Sequence, residues 1–104
     1  MFDRIYEKRV ERGAALMDMV FPDWDSRIDM GKLNISSGTV CVLGQCYGGY
    51  MKGLARLDLS PAGAARCGFA WPALLGTGYS YRKLTEAWRM LIEGRRHVTV
   101  QSFE

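Results

Sequence analysis

The segment that decides the fold is residues 40–57, VCVLGQCYGGYMKGLARL, where an apolar stripe and several glycines share one stretch. The apolar residues recur at steps of three and four, as on one face of an amphipathic helix. They are Val40, Leu43, Tyr47, Tyr50, Leu54 and Leu57. Each interior glycine costs a helix about 1 kcal/mol relative to alanine. The stripe nevertheless predicts one helix through this segment, at the centre of the fold.

The glycines of this segment form two pairs spaced four residues apart. Gly44 pairs with Gly48, and Gly49 pairs with Gly53, so each pair lies on one face of the expected helix. Glycine suits positions where another backbone or side chain approaches closely. We expect the alanine-rich segment after Pro61 to make this approach, and a partner protein is the alternative.

The start of the segment has two interpretations. Thr39 suits the N-cap of the expected helix, because its hydroxyl can accept a hydrogen bond from a free backbone N–H. Residues 39–43 are also β-branched and apolar enough for a buried strand. The stripe continues well past this run and favours the helix. In that helix Cys41 and Cys46 are separated by about 7.5 Å of rise alone, too far for a disulfide.

Helix signals also occur before this segment. A first helix is predicted from Arg4 to about Phe21, because apolar residues recur at helical spacing and charged residues fill the other face. Pro22 ends that helix. Trp24 and Ile28, four residues apart, predict one short helical turn that places an aromatic ring against the core.

A short helix is predicted after the central segment. Ser60 at the N-cap and Pro61 at the first helical position are typical of a helix start, and Gly68 suits its exit. The alanine-rich helix between them can pack tightly against a neighbour. Residues 69–78 are then an apolar loop.

The last helix is expected to begin at a Ser80 cap, run to about Glu93 and end at Gly94. Residues 95–104 form a basic tail that is predicted as a short strand or an arm. The fold class is therefore mainly α: a compact bundle of about four main helices with long apolar loops. At 104 residues the chain supports one helical domain, residues 1–94, followed by the tail.

Composition excludes several classes of protein. Hydrophobic residues make up 48% and charged residues 24% of the chain, as in ordinary globular proteins. No apolar run approaches the ~18 residues of a membrane span, and the charged start does not resemble a signal peptide, so no membrane partner is expected. Three cysteines, an odd count without secretory context, indicate reduced thiols in a cytoplasm.

No residue set has the pattern of a catalytic or metal site. Zinc would need Cys41, Cys46, Cys67 and His97, whose spacing does not fit the usual ligand pairs. We therefore expect no cofactor and no metal, and no catalytic residues. A thiol enzyme remains a third hypothesis, in which the helix dipole lowers the pKa of Cys41.

Two surfaces are candidates for binding. The first is an interaction surface on the glycine-bearing helix, formed by Gly44, Gln45, Tyr47, Gly48, Tyr50 and Met51. The second is a basic face for nucleic acid on the last helix and tail, because cations there outnumber acids and suit phosphate contacts. Its members are Arg82, Lys83, Arg89, Arg95 and Arg96.

The order of several short motifs resembles small uncharacterised proteins of actinobacterial phages, mycobacteriophages in particular. The motifs are Pro22-Asp23-Trp24, Leu33-x-Ile35, Cys41-Val-Leu-Gly-Gln45 with Tyr47-Gly48-x-Tyr50, Gly68-Phe69, Tyr81-x-x-Leu84-x-x-x-Trp88 and Arg95-Arg96. The likeness extends from about residue 13 to residue 96, and residues 41–45 are its most specific part. It implies a phage origin and a bacterial cytoplasm, and the family has no assigned activity.

We therefore expect a non-enzymatic phage accessory protein that acts through protein–protein binding, either with itself as a homo-oligomer or with a host factor. The alternative is a small nucleic-acid-binding regulator that uses the basic C-terminal helix.

Overall fold

Two long helices at opposite ends of the sequence frame the molecule. The computed structural model describes residues 3–72 and 78–101. Its helices are α1 (Asp3–Val20), α2 (Trp24–Arg27), α3 (Val42–Tyr47), α4 (Tyr50–Leu57), α5 (Pro61–Arg66) and α6 (Gly78–Gln101). The mainly α class is confirmed, and the described ranges contain no strand. The radius of gyration, 13.1 Å, is that of a compact domain of this length.

The core forms where α1 packs along α6. Helical spacing places three apolar side chains of each helix on the facing side, and all six are essentially inaccessible to solvent. They are Val10, Ala14 and Met17 on α1, and Leu84, Trp88 and Ile92 on α6. The first helix therefore agrees with its predicted stripe, and Pro22 follows its end as expected.

Trp88 lies at the centre of this core. Its indole Nε1 donates a hydrogen bond of 2.7 Å to the carbonyl of Gly68. Its ring stacks on Phe69 with a centroid distance of 5.5 Å. It also meets the edge of Trp24 at 5.6 Å. One side chain thus joins α6 to α2 and to the exit of α5.

Gly13 allows α1 to approach this centre. A Cβ atom at Gly13 would overlap the carbonyl oxygen of Cys67 and lie 2.9 Å from the Trp88 ring. Gly68 has a left-handed φ of 72°, and a Cβ atom there would lie 2.9 Å from the Val10 side chain and 3.0 Å from its backbone nitrogen. The chain leaving α5 therefore lies directly against α1 because both contact positions lack side chains.

The single helix predicted over residues 40–57 is wrong: two short helices, α3 and α4, replace it. Gly48 takes a left-handed φ of 86° and its N–H caps the carbonyl of Gly44. Gly49 is extended, and the Tyr50 N–H bonds to the carbonyl of Gly38 at 2.8 Å. A continuous helix would tolerate these glycines only at a cost. Here they instead end α3 and start α4.

The close approach at Gly53 comes from this same hairpin, and that at Gly44 comes from the loop before it. A Cβ at Gly53 would lie 2.7 Å from the Leu43 Cβ and 3.1 Å from the Tyr47 ring, both on α3. A Cβ at Gly44 would lie 2.6 Å from the Gly38 carbonyl oxygen. The alanine-rich helix makes none of these contacts, so the expected approach by that helix is wrong, and the alternative of a partner protein stays a prediction.

The N-cap of α3 is Cys41, two residues after the predicted Thr39. Its Sγ accepts a hydrogen bond of 3.2 Å from the Gly44 N–H. Residues 39–41 form a turn rather than the alternative strand. By contrast, α5 begins as predicted, because the Ser60 hydroxyl accepts from the Gly63 N–H at 3.1 Å and Pro61 follows.

The last helix extends beyond both predicted ends. It begins at Gly78, and Ser80 is buried within it, where its hydroxyl meets the Tyr6 hydroxyl at 3.3 Å. It also continues through Gly94 to Gln101, so the predicted C-terminal strand is not confirmed. Side-chain contacts of Arg95 and Arg96 with the α1–α2 region, described below, hold this extension against the helix-weakening effect of glycine.

The apolar loop after α5 is partly described. Phe69 is buried against Trp88, and Trp71 packs on Tyr6 at a centroid distance of 5.0 Å. The Trp71 N–H also bonds to the Tyr81 hydroxyl at 3.2 Å. Residues 73–77 of this predicted loop lie outside the described residues.

Replacing Gly13 by alanine is expected to destabilise the protein by about 2 kcal/mol, although alanine favours helices, because the added methyl overlaps Cys67 and Trp88. Urea unfolding measures this effect. Gly94→Ala is the matched control, since Gly94 is an exposed α6 position with open space around it. It should raise stability by up to about 1 kcal/mol. Equal effects at both sites would contradict the close approach at Gly13.

Candidate functional site

The predicted interaction surface is divided between the interior and the exterior of the protein. Gly44 is buried, and Gly48 forms the turn between α3 and α4. Tyr47 and Tyr50 are half-buried, whereas Met51 is 71% exposed. The residues therefore do not form one continuous surface.

Gln45, also predicted in that surface, is an internal clamp. Its Oε1 accepts from the Asp29 N–H at 2.6 Å. Its Nε2 donates to the carbonyls of Val40 at 2.9 Å and Asp29 at 3.3 Å. The half-buried side chain thus satisfies backbone groups of the loop before α3.

A groove on the outside of the hairpin includes Tyr47 of the predicted interaction surface. It lies between the end of α1 and the α3–α4 hairpin and has a volume of about 620 Å³. We call it the α1–α4 groove. It is lined by Val20, Phe21, Cys46, Tyr47, Lys52, Ala55, Arg56 and Leu57.

Aromatic side chains form one wall of the α1–α4 groove. The Phe21 and Tyr47 rings meet edge to face at a centroid distance of 5.3 Å. The Arg27 guanidinium lies 5.1 Å from the centre of the Phe21 ring. Such contacts orient both rings and leave an apolar surface beside a positive charge.

The polar groups of the α1–α4 groove are basic. Lys52 and Arg56, both exposed, extend from α4. No carboxylate lies among the residues that line the groove. Val20 is half-exposed at its edge and Met19 beside it is 81% exposed. The groove therefore combines apolar walls with a cationic rim.

A second groove runs between α1 and α6, and its rim is mainly acidic rather than basic. Its two parts, of about 110 and 250 Å³, share Glu7, Ala87 and Met90. Glu11 and Glu86 add carboxylates, while Lys83 lies 3.9 Å from Glu86. Met90 is 69% exposed. We call this feature the α1–α6 groove.

Burial disfavours the thiolate form of all three cysteines. Burial raises the pKa of the Cys46 thiol to about 11, and this outweighs the opposing effect of Arg27. Burial also raises the pKa values of Cys41 and Cys67. The predicted lowering of the Cys41 pKa at a helix N-terminus is therefore wrong, because desolvation exceeds the effect of the three nearby backbone N–H groups. All three cysteines are free.

Within the described residues, no three potential metal ligands are grouped together. The side chain of His97, which the zinc hypothesis required, lies outside the described residues.

Three of the five predicted nucleic-acid contacts are engaged inside the protein. Arg95 makes two hydrogen bonds of 2.8 Å to the Asp18 carboxylate. This carboxylate raises the pKa of Arg95, and Arg95 in turn lowers the pKa of Asp18. Arg96 donates to the carbonyl of Asp25 at 2.7 Å and to that of Ile28 at 2.8 Å.

Arg89 completes this set by donating to the Met30 carbonyl at 2.8 Å. Arg89 and Arg96 thus hold residues 25–30 against α6 through backbone carbonyls, and Arg95 adds a contact of 3.5 Å to the Asp25 carboxylate. Arg82 is exposed and Lys83 is half-exposed. Three of the five predicted contacts therefore have partners within the protein, and nucleic-acid binding by this face stays a prediction.

Comparisons with known proteins give no relative: no protein-family model matches the chain, and neither curated proteins nor solved structures give a significant match. The similarity to phage proteins stays a prediction. In the described ranges, no helix has the length and apolar character needed to span a bilayer. Sequence reasoning included Tyr47 but missed Phe21, Lys52 and Arg56 as groove residues, since only the reversal at Gly48 brings them together.

Replacing Arg96 by glutamine is expected to lower the free energy of unfolding by about 1–3 kcal/mol, because two carbonyls lose their donor. Arg82→Gln is the matched control and should change stability by no more than about 0.5 kcal/mol. Urea unfolding compares the two. Equal stability of the variants would show that Arg96 is not structural.

The raised pKa of Cys46 predicts a loss of stability at alkaline pH. The folded protein holds this proton more tightly than the unfolded chain, whose thiol has an ordinary value of 9.0. Its contribution is full below that value and is lost as pH rises toward 11. Between pH values of about 8 and about 10, wild type should lose about 1 kcal/mol more than Cys46→Ala in urea unfolding. Parallel curves for both proteins would contradict a buried Cys46.

Proposed function

We propose that the protein is a non-enzymatic accessory protein that acts by binding another protein through the α1–α4 groove. The observation that carries this proposal is the groove itself, which has a volume of about 620 Å³, apolar walls and a rim formed by Lys52 and Arg56. An interface needs an apolar centre and complementary charge at its edge. The partner therefore presents a segment with apolar side chains on one face and carboxylates beside them.

Two sources of that partner are distinguished by experiment. One is a host factor in the bacterial cytoplasm, the setting that the phage resemblance implies. The other is a second copy of this chain, supported by the carboxylates of Glu7, Glu11 and Glu86 around its α1–α6 groove. These carboxylates are the chemical complement of the Lys52 and Arg56 rim.

The proposal is tested by placing a carboxylate in the groove. Ala55 is exposed on α4 and lines the groove, so Ala55→Glu adds bulk and negative charge without opposing the helix. Ala15→Glu makes the same change at an exposed α1 position outside the groove. Light scattering of the purified proteins measures self-association, and cross-linked pull-down from an actinobacterial lysate measures host partners.

Wild type and Ala15→Glu should share an oligomer or a captured protein that Ala55→Glu loses. An oligomer identifies a second copy, and a captured protein identifies a host factor. The proposal would be overturned if wild type stays monomeric and captures from the lysate no protein that Ala55→Glu does not also capture.

A further inference from the structure

Three arginines from α1 and α5 converge on one surface away from both grooves. The Arg9 guanidinium donates to the Ala65 carbonyl at 2.7 Å, and the Arg12 guanidinium donates to the Arg66 carbonyl at 2.9 Å. Because these carbonyls belong to consecutive residues, the two guanidinium groups lie close together. The side chain of Arg66 starts from the same place. We call Arg9, Arg12 and Arg66 the arginine cluster.

Helix capping explains only part of this arrangement. The last carbonyls of α5 lack partners within the helix, and cations are favourable at a helix C-terminus. Each of these contacts uses one donor of Arg9 or Arg12, whereas a guanidinium carries five N–H groups. Arg66 is exposed, and its side chain makes no described hydrogen bond. Most donors of the cluster are therefore free for a ligand.

The positive charge of the cluster is not balanced within the described residues. The ion pairs there involve Lys83 and Arg95, and none includes Arg9, Arg12 or Arg66. Burial lowers the pKa of Arg9, and the charges of Arg12 and Arg66 lower it further. An anion placed among the three groups would remove this repulsion.

Two of the three guanidinium groups, those of Arg9 and Arg12, are held in place before any ligand arrives. The Arg9 guanidinium lies 4.8 Å from the centre of the Trp71 ring, which itself packs on Tyr6. Arg12 is fixed through its bond to α5 and remains exposed. Planar guanidinium forks match the oxygens of a phosphate group better than other cations do.

We propose that Arg9, Arg12 and Arg66 bind the phosphate groups of a nucleic acid backbone. Arg12 and Arg66 are exposed, and neither lines a groove described above, so they give a small phosphorylated ligand little burial. A polyanion needs no such burial, because neutralising its phosphates releases bound counterions. This site goes beyond the proposed protein-binding function and uses none of the residues of the α1–α4 groove.

The test measures binding of short labelled DNA and RNA, single-stranded and duplex, by fluorescence anisotropy. Wild type should bind at about 50 mM salt and weaken strongly toward about 200 mM. Arg12→Gln combined with Arg66→Gln should bind at least about tenfold more weakly, and its salt slope should fall by about 2, one for each lost phosphate contact. Arg9 is left unchanged because it supports Trp71.

Arg4→Gln combined with Lys32→Gln removes the same charge from exposed positions outside the cluster and should retain most of the affinity. Equal losses in the two double variants would show diffuse attraction and overturn the proposal, as would no binding by wild type. A loss seen only in Arg82→Gln would place the contacts on α6 and also overturn it. Inorganic phosphate at matched ionic strength should compete only weakly, because a nucleic acid contacts several cations at once. Displacement by phosphate as effective as by unlabelled DNA would overturn the proposal.

Thermal unfolding confirms that each variant is folded before binding is compared. If the double variant is unstable, Arg66→Gln alone serves, because this exposed side chain makes no described internal hydrogen bond. It should weaken binding several-fold and lower the salt slope by about 1. Unchanged binding by a folded Arg66→Gln would overturn the proposal.

Discussion

The packing of Trp88 against Gly13 and the Gly68 carbonyl is the contact on which the rest of the structure depends. It brings α1 and α6 into direct contact with the backbone at the exit of α5. This contact requires glycine at position 13, because a larger side chain would overlap Cys67 and Trp88. The α1–α6 groove follows from this alignment. So does the arginine cluster, because Arg9 and Arg12 reach the last carbonyls of α5 only when α1 lies against it.

Arginines divide between two roles that their charge alone does not distinguish. Arg89 and Arg96 donate to carbonyls of residues 25–30, and Arg95 is paired with a carboxylate, so much of this charge supports the fold. Arg9 and Arg12 also donate to carbonyls, yet no carboxylate among the described residues neutralises them. The net charge of +3 is thus a poor guide to where an anion binds. What decides where an anion binds is whether each guanidinium is already paired with a carboxylate.

The hairpin of α3 and α4 turns one apolar stripe into the wall of a groove. Reversal at Gly48 buries Leu43 and Leu54 on the inside and leaves Tyr47 and Leu57 beside Phe21 on the outside. Gln45 meanwhile fastens the loop before α3. The most specific part of the phage resemblance, residues 41–45, is therefore devoted to the N-cap, the core and this clamp. The α1–α4 groove lies next to it.

The sequence alone determined the helical class, the first helix, the short turn at Trp24 and the start at Ser60-Pro61, because those signals act within one or two helical turns. It did not reveal the break at Gly48 or the continuation through Gly94. An interior glycine costs a helix about 1 kcal/mol. Tertiary contacts of similar energy therefore decide whether the helix breaks, as at Gly48, or continues, as at Gly94. The two grooves and the arginine cluster were decided only by tertiary structure, since each joins residues far apart in the chain.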